Sequence, residues 1–300
     1  MSTSPATGGR WTAADMPDQT GRTAVVTGAN SGLGFETCRA LAARNATVIM
    51  AVRDLGKGRA ALASLRTQGS GRLEVARLDL ADLDSVRAFA NGLIERGKPL
   101  DLLVNNAGIG MPPRTLTAQG FESQFGVNHL GHFALTGLLL PLLRRGSGAR
   151  VVTVGSGAFR GGSIHFDDLH GERSYRPAAR YRQSKLANVL FGLELDRRLR
   201  TDGMPVASLL AHPGLALRLG NKLVAQPAER GAWSQLYAAT ARDVEGGQFF
   251  GPGGRTGMRG HPILLEPGPR ATDPETARRL WAVSTELTGV GYEFSDARLT

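Results

Sequence analysis

Two periodicities alternate along this chain, and that alternation limits its fold more than any other feature. Short runs rich in β-branched residues and Leu read as strands: Thr23–Thr27, Thr47–Ala51, Leu73–Leu78, Asp101–Asn105, Arg150–Val154 and Pro205–Leu210. Longer stretches with helical spacing separate them: Leu33–Arg44, Gly58–Thr67, Asp82–Arg96, Ala118–Leu143 and Arg180–Arg200, followed later by Ala228–Arg242 and Pro274–Leu287. Strands that are apolar along their whole length need cover on both faces, and a helix between successive strands supplies it. The expectation is an α/β fold, a doubly wound parallel sheet of about seven strands, the last a short one around Gln248–Phe250.

A large sheet of this kind absorbs 300 residues around one core, and no linker or internal repeat divides them. The polar segment 1–20 reads as a flexible arm, 21–300 as one domain, and about 214–300 as its substrate-loop region. Gly246–Gly260 reads as a surface loop. Gly161–Ala179 lacks periodicity and is long for a connection, so it reads either as a pocket wall or as an inert insertion.

The formal charge is +10, but the basic residues are scattered among Asp and Glu with no polybasic run. Nucleic acid is therefore not an expected partner, while a basic surface suits an anionic cofactor. Cys38 is the only cysteine, so no internal disulfide is available, and it lies in a helical stretch where a small buried residue fits. The start of the chain lacks the pattern of a signal peptide, and Phe133–Leu143 is too short to span a bilayer. A cytoplasmic location without stable membrane insertion is expected.

The first strand runs into Thr27-Gly28-Ala29-Asn30-Ser31-Gly32-Leu33-Gly34, and a helix follows. Glycines there permit a tight turn and a close approach of backbone to a pyrophosphate, and the helix N-terminus faces that charge. The second strand ends in Arg53-Asp54. An Arg at this place takes a ribose 2′-phosphate in a charge-assisted fork, whereas an acidic group takes the 2′-hydroxyl. Arg53 favours NADP(H); NAD(H) stays open if Arg53 is solvated and Asp54 is the ribose ligand. Asn105-Asn106-Ala107-Gly108 closes the fourth strand and, taken alone, is also compatible with a plain turn.

Tyr181-Arg182-Gln183-Ser184-Lys185 sets a phenol and an ammonium one helical turn apart. A nearby cation favours phenolate, which makes the phenol useful for exchanging a proton with a substrate oxygen. His129 and His132 are read as packing or polar helix residues, and no metal site is expected, since neither has the accompanying Cys or Glu ligands.

In this order the motifs resemble the short-chain dehydrogenase/reductase family over about Gly21 to the end of the sixth strand, and most closely its retinol dehydrogenase and protochlorophyllide reductase branch with bacterial relatives. The resemblance implies a Rossmann-type fold with hydride transfer between a nicotinamide and a carbonyl or secondary alcohol. It implies cofactor contacts at Gly28, Asn30, Ser31, Gly32, Leu33, Gly34, Arg53, Asp79, Leu80, Asn105, Ala107, Gly108, Tyr181, Lys185, Pro213, Gly214 and Leu215. It implies catalytic roles for Tyr181 as acid or base, Lys185 as its cation, Ser156 as holder of the substrate oxygen, and Asn128 in a water relay toward Lys185.

Two departures stand out. Gly155 replaces a common Ser, and Leu215–Leu219 lacks the Thr that many relatives place after the Pro-Gly turn. The expected partner is a small-molecule substrate, a bulky lipophilic carbonyl compound or alcohol, in an apolar pocket from 161–179 and 215–235. The implied assembly is a monomer or a homo-oligomer; relatives often pair through helices matching Ala118–Leu143 and Arg180–Arg200, and the long C-terminal part is placed to block or replace that contact. The alternatives are a non-catalytic NADP-binding regulator and a carbon–carbon double-bond reductase.

Overall fold

Each expected strand enters one sheet in the computed structural model, which describes residues 10–66, 72–214, 226–254 and 257–294. The strands are β1 (Thr23–Thr27), β2 (Thr47–Val52), β3 (Arg72–Arg77), β4 (Leu102–Asn105), β5 (Ala149–Val154), β6 (Val206–Ala211), β7 (Phe249–Pro252) and β8 (Pro262–Leu265). Their order is β3-β2-β1-β4-β5-β6-β7-β8. All neighbours run parallel except β7 and β8. The helices are α1 (Gly32–Ala42), α2 (Leu55–Arg66), α3 (Leu83–Glu95), α4 (Ser123–Phe125), α5 (Gly131–Leu143), α6 (Pro177–Thr201), α7 (Ala228–Gly231), α8 (Trp233–Thr240) and α9 (Pro274–Thr288). A π turn, Gly126–Leu130, joins α4 to α5.

Alternation along the central strands feeds two cores. Val25 of β1 packs with Phe89 of α3, Leu135 of α5, Leu190 of α6 and Leu280 of α9 on one face. Ala24 and Val26 pack with Leu41 of α1, Leu65 of α2 and Leu236 of α8 on the other. This two-sided cover is what made the strands apolar throughout. Because β1 lies between β2 and β4, the connections leaving β1 and β4 diverge and open a crevice at their carboxyl ends.

The structure corrects several expectations. An eighth strand, β8, turns back against β7 beyond the strand expected around Gln248–Phe250. Its residues Ile263 and Leu264 are both exposed, so the short edge strand carries no in–out alternation to read. Residues 10–20 are not a loose arm: Met16 is buried, Trp11 meets the Tyr237 ring edge-on at 5.2 Å, and Thr12 and Asp15 form a capping box. Two apolar anchors in a polar stretch suffice to hold it. The helix expected from Ala118 starts at Ser123, where the Glu122 carboxylate accepts from the amides of Gln124 and Phe125. The stretch Ser123–Leu143 is long and apolar enough to cross a membrane, and 83% of its window is buried inside the protein.

The C-terminal helix α9 packs on α5 and α6. Asp273 caps its start and Gly289, at φ 61°, ends it. Trp281 meets Phe133 at 5.1 Å and Tyr292 at 4.6 Å, and the Arg198 guanidinium lies 4.4 Å from its ring centre. Trp281→Ala is expected to destabilise the protein by about 3–5 kcal/mol, read as a lowered urea midpoint. A loss below about 1 kcal/mol would show that α9 is not anchored through this ring.

Candidate functional site

The residues singled out in the sequence leave the carboxyl ends of β1, β2, β3, β4, β5 and β6, or come from helices that pass over those ends. At the end of β1, Gly28 has φ 67° and Gly32 φ 58°, both in the left-handed region. A Cβ on Gly34 would lie 2.4 Å from the Gly28 carbonyl oxygen, so the turn closes only with glycine there. Ser31 occupies the N-cap of α1 without a side-chain cap bond among the described residues. The first amides of α1 are thus open toward the crevice, beside the half-buried Asn30 and Leu33.

The turn is locked to β4 through Thr27. Its Oγ1 accepts from the amides of Asn106 and Ala107, each at 2.9 Å, and Asn106 Nδ2 donates to the Thr27 carbonyl at 2.7 Å. Gln235 on α8 supports the same Asn106 from behind, with Nε2 3.3 Å from Oδ1. The Asn105 side chain is fully buried and donates to Thr136 Oγ1 at 3.0 Å, which turns it away from the crevice. Consecutive residues at a strand end face opposite sides, and two adjacent Asn give the sequence no means of telling them apart.

Arg53 is exposed at the end of β2. Asp54 is engaged instead with the start of α2: its Oδ1 accepts from the Lys57 amide at 3.0 Å, and Lys57 Nζ lies 3.8 Å from Oδ2. The Lys57 amide holds the Asp54 carboxyl below its usual range, with further help from Lys57 and Arg53. Asp79 sits half-buried after β3 and accepts from the Ala81 amide at 3.0 Å. The Leu80 side chain belongs to the core, so only its backbone is placed for a ligand contact.

Over β4 and β5 the expected catalytic residues gather. The Tyr181 ring lies against Gly110, where a Cβ would come within 3.4 Å of Cε2. Lys185 Nζ lies 5.9 Å from the centre of that ring and donates to the Val154 carbonyl at 3.3 Å. A Cβ on Gly108 would lie 3.3 Å from both Lys185 Nζ and Asn128 Oδ1. Asn128 is fully buried: Oδ1 accepts from the Ile109 amide at 2.8 Å, and Nδ2 donates to the Ile109 carbonyl and to Ser184 Oγ, each at 2.9 Å. Ser156 caps the short turn after β5, its Oγ 3.3 Å from the Ala158 amide. Ser184 and Asn106 are site residues that sequence reasoning did not single out; their roles depend on contacts between elements far apart in the chain.

Beyond β6, Gly214 has φ 72°, and a Cβ there would lie 2.2 Å from the Met258 carbonyl oxygen. The Pro213 carbonyl accepts from Gln226 Nε2 at 2.7 Å. Leu215 and the rest of the Leu215–Leu219 departure lie outside the described residues. Residues 215–225 of the expected apolar pocket lie outside the described residues; a cleft of about 300 Å³ is lined by Gln226, Arg230, Trp233, Arg259 and His261. The 161–179 segment is pinned to α6 next to Tyr181. Asp168 forms a partly buried ion pair with Arg180 at 2.6 Å, and the His165 amide donates to Gln183 Oε1 at 2.9 Å.

Burial pushes His129 down to about 3 and His132 to about 4, so both are neutral near pH 7. Among the described residues no group of His, Cys, Asp and Glu is arranged to hold a metal ion.

The sequence pattern of the short chain dehydrogenases matches residues 22–215. Polyprenol dehydrogenase of Mus musculus is 45% identical over 301 residues, covering 94% of this chain and 88% of that protein. Retinol dehydrogenase 12 of Homo sapiens is 42% identical, covering 91% and 88%. A crystal structure of an uncharacterised protein from Mycobacterium Paratuberculosis is 49% identical, with a TM-score of 0.85 over 95% of this chain and 100% of that one.

Burial alone lowers the Lys185 ammonium from its ordinary 10.5 to about 8. The unfolded chain keeps that proton up to the ordinary value, so the burial penalty is fully present below about pH 8 and fades as pH rises toward 10.5. Lys185→Met should therefore stabilise the cofactor-free protein at pH 7, by on the order of 1–3 kcal/mol, with the gain shrinking between pH 8 and 10. Urea unfolding across that range checks it, and a Met variant no more stable at pH 7 would contradict it.

Proposed function

The chain belongs to the short-chain dehydrogenase family and is a nicotinamide-dependent oxidoreductase of CH–OH and C=O groups; on that premise we propose an NADP(H)-dependent enzyme that interconverts a bulky lipophilic carbonyl compound and its alcohol. The observation that carries the reading is the gathering of Tyr181, Lys185 and Asn128 around Gly108 and Gly110, at the strand end next to the glycine turn.

The chain's groups fit a dinucleotide. The open amides of α1 and the bare backbone of Gly28, Gly32 and Gly34 suit the diphosphate, and exposed Arg53 suits a 2′-phosphate. Asp54 is spent on the start of α2, which favours NADP(H) over NAD(H). When bound, the nicotinamide supplies or accepts the hydride.

Ser156 Oγ holds the substrate oxygen by a hydrogen bond. The Tyr181 hydroxyl gives a proton to that oxygen on reduction and takes it back on oxidation. The Lys185 ammonium, one turn along α6, favours the phenolate left behind. Both Nδ2 hydrogens of Asn128 are already used and Oδ1 accepts the Ile109 amide, so the second lone pair of its backbone carbonyl is the part assigned to a relay water.

The lipophilic substrate class is supported by the names of the relatives, which act on polyprenol and retinol. Met111, an apolar side chain 56% exposed, directly follows Gly110, the residue that lies against the Tyr181 ring. The intact Tyr181–Lys185 turn weighs against a purely cofactor-binding regulator.

Tyr181→Phe is expected to lower turnover of long-chain aldehydes or ketones by roughly 100-fold or more while leaving NADPH affinity within a few-fold. Full turnover in the Phe variant would remove Tyr181 from the chemistry. Arg53→Ala should weaken NADPH binding by about tenfold or more, the loss of one charge-assisted hydrogen bond, with NADH binding unchanged. Equal effects on the two cofactors in titration calorimetry would remove the 2′-phosphate assignment.

A further inference from the structure

We propose that His132 is a positioning residue that fixes the Asn128 carbonyl against the end of β1, so that the cofactor turn and the proton relay are held as one unit. The inference deepens the oxidoreductase reading and rests on it for the meaning of Asn128. It rests on the hydrogen bonds alone for the link itself.

His132 stands in the first turn of α5, directly after the π turn that contains Asn128. Its ring is 1% exposed and bridges two elements: Nδ1 lies 3.0 Å from the Asn128 carbonyl and Nε2 lies 2.9 Å from Thr27 Oγ1. A carbonyl can only accept, so Nδ1 carries the hydrogen, and in a neutral imidazole Nε2 must then accept from the Thr27 hydroxyl, for whose one hydrogen it is nearer, at 2.9 Å, than the Val104 carbonyl at 3.4 Å. Thr27 oxygen in turn accepts the Asn106 and Ala107 amides. Every donor and acceptor of the ring has a partner, and burial keeps the ring neutral, pushing it down to about 4.

The bridge connects parts with distinct tasks. On one side stand the glycine turn and the end of β4, tied together by Thr27. On the other stands Asn128, whose side chain holds Ile109 and Ser184, and Ser184 Oγ reaches back to the Tyr181 carbonyl at 2.9 Å. A π turn adds a residue to the helical ladder and loosens its register. The imidazole adds a side-chain donor to the Asn128 carbonyl inside that turn, at 3.0 Å. Neither amide side chain can replace both nitrogens: Asn places its NH2 near the Nδ1 position, and Gln reaches the Nε2 position.

The test uses the full chain with His132→Phe, His132→Asn and His132→Gln. The readouts are NADPH affinity by fluorescence titration, kcat and KM with the wild type's best aldehyde, and the urea midpoint. His132→Phe is expected to lower kcat by roughly 10- to 100-fold with KM within about threefold, and to weaken NADPH binding several-fold. His132→Asn should recover most of kcat, because it keeps the donor to Asn128, and His132→Gln should not. A Phe variant with wild-type kcat and NADPH affinity, altered only in its urea midpoint, would make His132 a packing residue and overturn the inference. Should the Phe variant not fold, equal kcat in the Asn and Gln variants would overturn it as well. A wild type without turnover on any carbonyl would instead sink the underlying reading, and it would be seen before any substitution is made.

Discussion

One hydroxyl holds the two central strands of this protein at the place where its chemistry is gathered. Thr27 ends β1 and accepts two amides from the turn after β4, so the divergence of chain connections there becomes a crevice of fixed shape. Each part of the candidate site is measured from that junction. The glycine turn starts one residue later, Asn106 and Ala107 are held by it, and His132 reaches it from α5. The hydroxyl is buried, where a fully satisfied hydrogen-bond network is rigid and a broken one is costly.

Around this junction the protein accepts local instability. The Lys185 ammonium is nearly fully buried and donates to the Val154 carbonyl. A stability-driven sequence would place an apolar residue there. On the proposed reading, burial of the cation close to the Tyr181 ring serves to stabilise negative charge on the phenol oxygen, where low dielectric strengthens the attraction. The pinned 161–179 segment, with its partly buried Arg180–Asp168 pair, limits how far the start of α6 can shift and so keeps Tyr181 in place.

The strands and most helices were legible because burial on both faces writes a continuous apolar run, and because helical spacing survives in Asp82–Arg96 and Arg180–Arg200. Tyr181 and Lys185 were legible because their chemistry needs a single helical turn, a local distance. The parts that escaped are those set by long-range contact or by a lack of pattern. Which of two adjacent Asn turns to Thr136 and which to Thr27 is decided by the face of the sheet each meets. Ile263 and Leu264 both face solvent, so β8 shows no alternation. His132 contacts Thr27 across 105 positions of sequence, a relation no spacing rule contains. Trp11 and Met16 turned an apparent arm into a packed segment through contacts as distant as Tyr237.

The most direct test of the central claim follows the hydride itself. NADPH carrying deuterium at C4 of the nicotinamide, in either stereochemical position, is incubated with the protein and a long-chain aldehyde, and the product is analysed by mass spectrometry and NMR. The account predicts that one of the two labelled cofactors transfers deuterium to the carbinol carbon, with one alcohol formed for each cofactor oxidised. Cofactor that binds tightly yet delivers deuterium from neither position to any carbonyl would contradict it.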